Sequence, residues 1–112
     1  MDCIFCEIIK GNIPSTKVYE DEYVTAFNDL NPVTPVHVLI VPKKHIASVD
    51  DLSEGDAELV GRVFVAAKAI AEKLGLKNGY RIINNCGEDA GQTVKHLHFH
   101  LLGGTKLGEK LI

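Results

Sequence analysis

Cysteine is scarce, and basic charge is not in surplus. The chain of 112 residues carries 3 cysteines, an odd count and too few for a disulfide scaffold; they read as thiols in a reducing compartment. Lys plus Arg is 12 against 15 Asp plus Glu, a net charge of −3. That balance argues against nucleic acid or an anionic membrane surface as the main partner. No apolar run approaches the roughly 20 residues that a membrane span needs. The opening Met1-Asp2-Cys3-Ile4 lacks the charged and apolar regions of a signal peptide, so a cytoplasmic location is expected. Internal repeats, low-complexity tracts and linkers are missing as well. With 46% apolar and 24% charged residues the composition is globular, and the length suits one domain spanning residues 1–112.

What is present is a series of short elements. Residues 3–10 form a mixed apolar and polar stretch closed by Gly11, expected to be a single helical hook. Residues 17–20 and 23–28 flank Glu20-Asp21, a hairpin signal without the Asn-Gly turn that would strengthen it. Asn31-Pro32 and Thr34-Pro35 break the chain into a loop. The β-branched run 36–41 is a strand stopped by Pro42. Ser53 caps the one long helix, with Asp56 three residues on as a variant capping box. Leu59, Val60, Val63, Phe64, Ala67, Ile70, Ala71 and Leu74 follow helical spacing and predict one buried stripe. Gly75 stands at the expected end. Residues 79–84 and 95–102 complete five strand candidates, and 103–112 reads as a tail. The fold class is α+β: a five-stranded antiparallel sheet with one long helix and a short N-terminal helix.

The chain has 5 histidines, and three fall in His96-Leu97-His98-Phe99-His100. In a strand the imidazoles share one face and the apolar residues the other. A solvated face that happens to carry histidines is one reading. A single metal held by all three is a poor one. Their first and third Cα atoms would be roughly 13 Å apart at about 3.4 Å per residue, while zinc–nitrogen bonds are about 2.0–2.1 Å. The reading that uses the residue type best is nucleophilic and acid–base chemistry on a phosphate. Neutral imidazole attacks near pH 7, and its neighbours donate to phosphate oxygens or a leaving group.

This His-φ-His-φ-His-φ-φ run, preceded by Gly91-Gln92-Thr93-Val94, resembles the signature of the histidine triad (HIT) superfamily. The likeness extends over nearly the whole chain, through Ile13-Pro14, Tyr19-Glu20-Asp21, Ala26-Phe27, Asp29, Val41-Pro42-Lys43-Lys44-His45, Gly79-Tyr80-Arg81 and Asn85. Leu102-Gly103-Gly104 after the triad is similar to the Hint-like branch of nucleoside phosphoramidases, whereas the Fhit branch of dinucleoside polyphosphate hydrolases usually has Pro-Arg there.

The resemblance implies a purine nucleoside 5′-phosphoramidate substrate and His98 as the nucleophile, through a nucleotidyl-histidine intermediate. It implies that His100 contacts the phosphate or leaving group and that His37 orients the triad. Gln92 and Thr93 would supply a backbone amide and a hydroxyl to phosphate oxygens, with Gly91 permitting close approach. Asn85 would bond near the phosphate, and Asp29 would accept from the ribose hydroxyls. Phe5, Ile8, Phe27 and Leu30 would line the base pocket. It also implies a C2 homodimer.

Cys3-Ile4-Phe5-Cys6 is a C-x₂-C pair, weak alone because a tetrahedral zinc site needs two further ligands. Many family members complete such a pair with histidines that correspond here to His45 and His96, a closed structural zinc site. The alternative is two reduced thiols on a helix with His45 exposed. Cys86 has no obvious partner. One departure concerns the tail. Hint-like proteins often end in an aromatic extension, and residues 105–112 contain no aromatic. Two other functions stay open: dinucleoside polyphosphate hydrolysis, and a nucleotide- or zinc-binding interaction module.

Overall fold

Pro42 and Gly103 bound the sheet's two central strands in the computed structural model, which describes residues 3–112. The Met1-Asp2 start of the signal-peptide reading lies outside those residues. A short helix α1 (Ile4–Lys10) precedes the hairpin β1 (Lys17–Glu20) and β2 (Val24–Asn28). Strand β3 (Val36–Pro42), helix α2 (Ala57–Lys73), β4 (Arg81–Ile83) and β5 (Phe99–Gly103) follow. All pairings are antiparallel, in the order β1-β2-β3-β5-β4.

The hairpin turn is built by Asp21 rather than by glycine. Its Oδ1 accepts from the Tyr23 and Val24 amides at 2.7 and 2.9 Å, the Asx arrangement that lets aspartate replace a backbone turn. Ser53 caps a 3-10 turn over Glu54–Asp56, and α2 begins only after it, at Ala57, so the long helix starts later than expected. Asp56 accepts from the amide and hydroxyl of Ser53 at 3.0 and 3.1 Å, and Lys44 reaches the same carboxylate at 2.7 Å. The helix ends in a Schellman pair, Gly75 N–H to the Glu72 carbonyl and Leu76 N–H to that of Ala71.

Helix α2 lies on one sheet face. Val63, Ala66, Ala67 and Ile70 pack there on Val24, Ala26, Val38, Ile40, Leu97, Phe99 and Leu101. The opposite face packs Phe27, Leu39 and Val41 under α1, against Cys3, Phe5 and Ile8. The alternation of strand residues between two covered faces is the reason β3 reads as nearly continuous apolar sequence.

Three further expectations are corrected. The last strand begins at Phe99, not at 95, and runs to Gly103. Its ladder with β3 stops at the Ile40–Phe99 pair, because the chain before Phe99 turns its polar groups to Pro42, Ile46 and Asn84 instead. Strand β4 is confined to Arg81–Ile83 within the expected 79–84. Phe64 is 48% exposed, at the margin of the predicted stripe with its ring against Phe99 at 5.8 Å, and Ala66 is buried although not predicted. Among the described residues, no helix is long and apolar enough to cross a membrane.

Candidate active site and metal centre

His98 sits one residue before β5 and is buried. Its Nδ1 lies 2.7 Å from the main-chain oxygen of His96. A carbonyl only accepts, so Nδ1 carries the proton, and in the neutral ring Nε2 is the nitrogen with the lone pair. Asn84 secures the same residue from its main chain, donating from Nδ2 to the His98 carbonyl at 2.9 Å. The sequence points to its neighbour Asn85 and not to Asn84. No pattern separates the two, because the distinction is made by where β4 ends.

His37 on β3 and His100 on β5 point to the α1 side of the sheet, with His37 Nε2 2.9 Å from His100 Nδ1. The Val33 amide donates to His37 Nδ1 at 3.1 Å. Neutral His37 is therefore protonated on Nε2, which donates to His100 Nδ1 and leaves the His100 proton on Nε2. Asp29 Oδ2 is 3.5 Å from His37 Nε2, and its Oδ1 accepts from the Asn31 amide at 2.7 Å. Burial holds His37 below the ordinary histidine pKa, with Asp29 pulling the other way. Burial lowers His100 too, reinforced by His98 and His37. Both are neutral at pH 7, as their hydrogen bonds require.

The loop before the triad is held by Gln92. Its carboxamide accepts from the Gly87 amide at 2.9 Å and donates to the Ala47 and Val94 carbonyls at 2.7 and 3.0 Å. Its amide already donates to the Gly87 carbonyl. Gln92 thus shapes the loop through its side chain, and in this structure its amide is engaged by Gly87. Gly91 has φ +79, and nothing lies within 4 Å of where a Cβ would sit. It serves the left-handed turn, with no protein atom approaching closely. Thr93 is exposed, and Asn85 half-buried. Phe5, Ile8 and Phe27 are buried together under α1, while Leu30 is 92% exposed and stands outside that cluster. The four therefore do not form one wall. Phe5 instead meets His98 edge-to-face at 5.1 Å between ring centroids.

Cys3, Cys6, His45 and His96 converge. Cys3 is the N-cap of α1, accepting from the Cys6 amide at 3.3 Å, so both sulfurs face the same side of the first turn. His96 Nδ1 lies 3.3 and 3.5 Å from the two sulfurs, and His45 Nδ1 lies 3.3 Å from Cys6 Sγ and 3.0 Å from His96 Nδ1. These spacings approach the edges of a tetrahedron with bonds of about 2.0–2.3 Å. His96 Nε2 donates to the Pro42 carbonyl at 2.8 Å, the outer bond that fixes a ligating imidazole with its other nitrogen free. The set fits a metal such as zinc. Asp29, His37 and His100 also cluster, but there Val33 donates into Nδ1 of His37. A ligand imidazole needs that nitrogen protonated, so this group is arranged for protons. A cavity of about 500 Å³ opens beside the first cluster, lined by Cys3, Ile4, His45, Ala47, Thr93, Val94 and Lys95.

Known proteins share this arrangement of chain. The sequence model of the HIT domain matches residues 10–107. The chain is 45% identical over 111 residues to a purine nucleoside phosphoramidase of Escherichia coli (strain K12), covering 98% of this chain and 93% of that protein. A histidine triad protein from Clostridium difficile superposes with TM-score 0.95 at 55% identity, covering 98% of this chain and 96% of that one. A HIT family hydrolase from Clostridium thermocellum gives 0.96 at 54%, covering 99% and 97%.

Proposed function

The chain belongs to the HIT domain family, and from that premise we propose that it is a hydrolase that cleaves purine nucleoside 5′-phosphoramidates at the P–N bond. The carrying observation is the 2.7 Å bond from His98 Nδ1–H to the His96 carbonyl, which dedicates Nε2 to attack. The naming of the Escherichia coli relative supports the substrate class.

His98 Nε2 attacks the α-phosphorus. The N–P bond forms as the bond to the substrate nitrogen breaks, and that nitrogen, protonated from solvent, leaves as the amine. Water then attacks the nucleotidyl-histidine. The electron pair of the breaking bond returns to Nε2, the nucleoside monophosphate departs, and the attacking water gives a proton to solvent, replacing the one carried off by the amine. His100 Nε2–H donates to a phosphate oxygen or the leaving group, held in that tautomer by His37. Asp29 accepts from the ribose, Thr93 and Asn85 donate to the phosphate, and Gly91 and Gln92 keep the loop in place. Phe5, Ile8 and Phe27 form an apolar floor, with exposed Leu30 closing over the base.

Zinc at Cys3, Cys6, His45 and His96 is part of the proposal, as a closed structural site that ties α1 to the segment before β5. It takes no part in the chemical steps. Metal analysis of protein purified without chelator should give about one equivalent per chain, and less than a tenth would sink this assignment. A homodimer is supported by Val65, 62% exposed, and half-exposed Phe64 on α2, and by the unpaired outer edge of β4. Light scattering tests it. The reduced thiols suit the cytoplasm.

The deciding assay follows AMP release from adenosine 5′-phosphoramidate. We expect turnover by the wild type and a loss of at least about 10³-fold in folded His98→Ala. Failure of both proteins to release AMP would remove the phosphoramidase reading and turn attention to dinucleoside polyphosphates.

A further inference from the structure

His98 lies outside the β5 ladder, which begins at Phe99, so sheet hydrogen bonds do not fix it. Its position is set by its neighbours. His96 uses three groups at once. Its Nδ1 faces the two cysteine sulfurs, its Nε2 donates to the Pro42 carbonyl, and its main-chain oxygen accepts from His98 Nδ1. The residue whose carbonyl sets the nucleophile's tautomer is thus a member of the Cys₂His₂ cluster. The cluster reaches His98 by a second route. Phe5 lies between Cys3 and Cys6, and its ring packs edge-to-face on His98 at 5.1 Å and on His96 at 6.0 Å. The Ile46 carbonyl, next to His45, accepts from the Leu97 amide at 2.6 Å and closes the frame from behind.

We propose that the Cys3/Cys6/His45/His96 centre is a positioning device for the nucleophile, setting the tautomer and orientation of His98 through the His96 carbonyl and the Phe5 ring. The proposal rests on the phosphoramidase and zinc readings above. Drawing the two sulfurs and two imidazoles onto one ion fixes the His96 ring against Pro42 and seats the turn that carries Phe5. Without it, four ligand atoms with 3.0–3.5 Å contacts and no shared bond hold the same segment. The lining of the adjoining cavity by Cys3 and His45 gives metal and chelator a way in.

The test strips zinc with a chelator, confirms the fold by circular dichroism, and restores zinc. Zinc content, the tautomer of His98 by imidazole ¹⁵N–¹H spectra, the affinity for AMP, and kcat and KM for adenosine 5′-phosphoramidate are followed together. We expect stripping to replace a single Nδ1–H tautomer by a mixture. The expected fall in kcat is about 10–100-fold, the range for loss of support around a functional group, with KM and AMP affinity within about threefold and zinc restoring all of it. Phe5→Leu, with zinc still bound, should lower kcat several-fold and loosen the His98 tautomer, beyond any rise in KM from its place in the base floor. A rise in KM with the tautomer and kcat both unchanged would confine Phe5 to the base floor and overturn its positioning role. Zinc that binds, but whose removal changes neither the tautomer nor kcat, overturns the proposal. If the stripped chain unfolds, Phe5→Leu decides, and an unchanged tautomer and kcat there overturn it. A chain that binds no zinc overturns it together with the zinc assignment, while AMP release judges the phosphoramidase reading separately.

Discussion

The proton between His37 Nε2 and His100 Nδ1, 2.9 Å apart, belongs to His37. The Val33 amide occupies the other nitrogen of His37, so only Nε2 can carry it. A backbone N–H on the loop after β2 thereby decides which nitrogen His100 presents to the substrate. His37→Ala removes that control. We expect kcat to fall about 10²-fold, the scale of a small misplacement of a reacting group, with the circular dichroism spectrum and KM little changed. A kcat within twofold of wild type would show that His100 orients itself.

The depressed pKa values of His37 and His100 make stability depend on pH in a definite direction. Burial lowers both below the ordinary value of about 6.5, so the unfolded chain binds protons first as pH falls. Their contribution is fully present above about pH 6.5 and is lost progressively as pH drops towards their folded values. His37, His98 and Asp29 face His100, and Asp29 partly offsets the shift at His37. The urea midpoint should be lower at about pH 5 than at about pH 7.5, and the difference should shrink in His37→Gln. Equal midpoints for the wild type would contradict the neutral assignment.

Much of this was legible in the chain because side-chain type carries it. Alternation through Leu97, Phe99 and Leu101 located the core face, and Ser53 with Asp56 located the capped 3-10 turn that leads into the long helix. The C-x₂-C pair with His45 and His96 did converge. What stayed hidden was which backbone groups serve. The Val33 amide and the His96, Pro42 and Ile46 carbonyls have no sequence signature, yet they set the tautomers and end the last strand at Phe99. The partners of the Gln92 side chain are equally silent in the sequence: the Gly87 amide and the Ala47 and Val94 carbonyls, through which it holds the loop.

That role for Gln92 has a measurable size. Gln92→Ala deletes three hydrogen bonds in a half-buried loop, and the groups left behind are partly reached by water. A loss of about 2 kcal/mol in folding stability is expected, together with a higher KM as the loop carrying Thr93 loosens. Chemical denaturation and steady-state kinetics check the two halves. An unchanged stability would mean that the loop keeps its shape through Gly87 and Gly91 alone.

Gly103 and Gly104 end β5 beside the start of β3, and they should respond differently to alanine. Gly104 has φ +84, and a Cβ there would lie 3.0 Å from Pro35 Cβ and 3.4 Å from the Val36 amide nitrogen. The left-handed backbone and a stiff proline ring both resist, which implies a cost of about 1–3 kcal/mol. At Gly103 the conflict is with Leu76 Cδ1 at 2.9 Å, the far end of a side chain that can rotate away. Gly103→Ala should therefore cost less than about 1 kcal/mol, given that overpacking is relieved where a neighbour can move. The consequence for catalysis follows from chain position. Pro35 and Val36 lead directly into His37, so strain at Gly104 is transmitted to the residue that orients His100. Gly104→Ala should lower kcat as well as the thermal midpoint, and Gly103→Ala should leave kcat near wild type. Equal losses in the two variants would show that crowding alone matters and that the route through Pro35 carries nothing to His37.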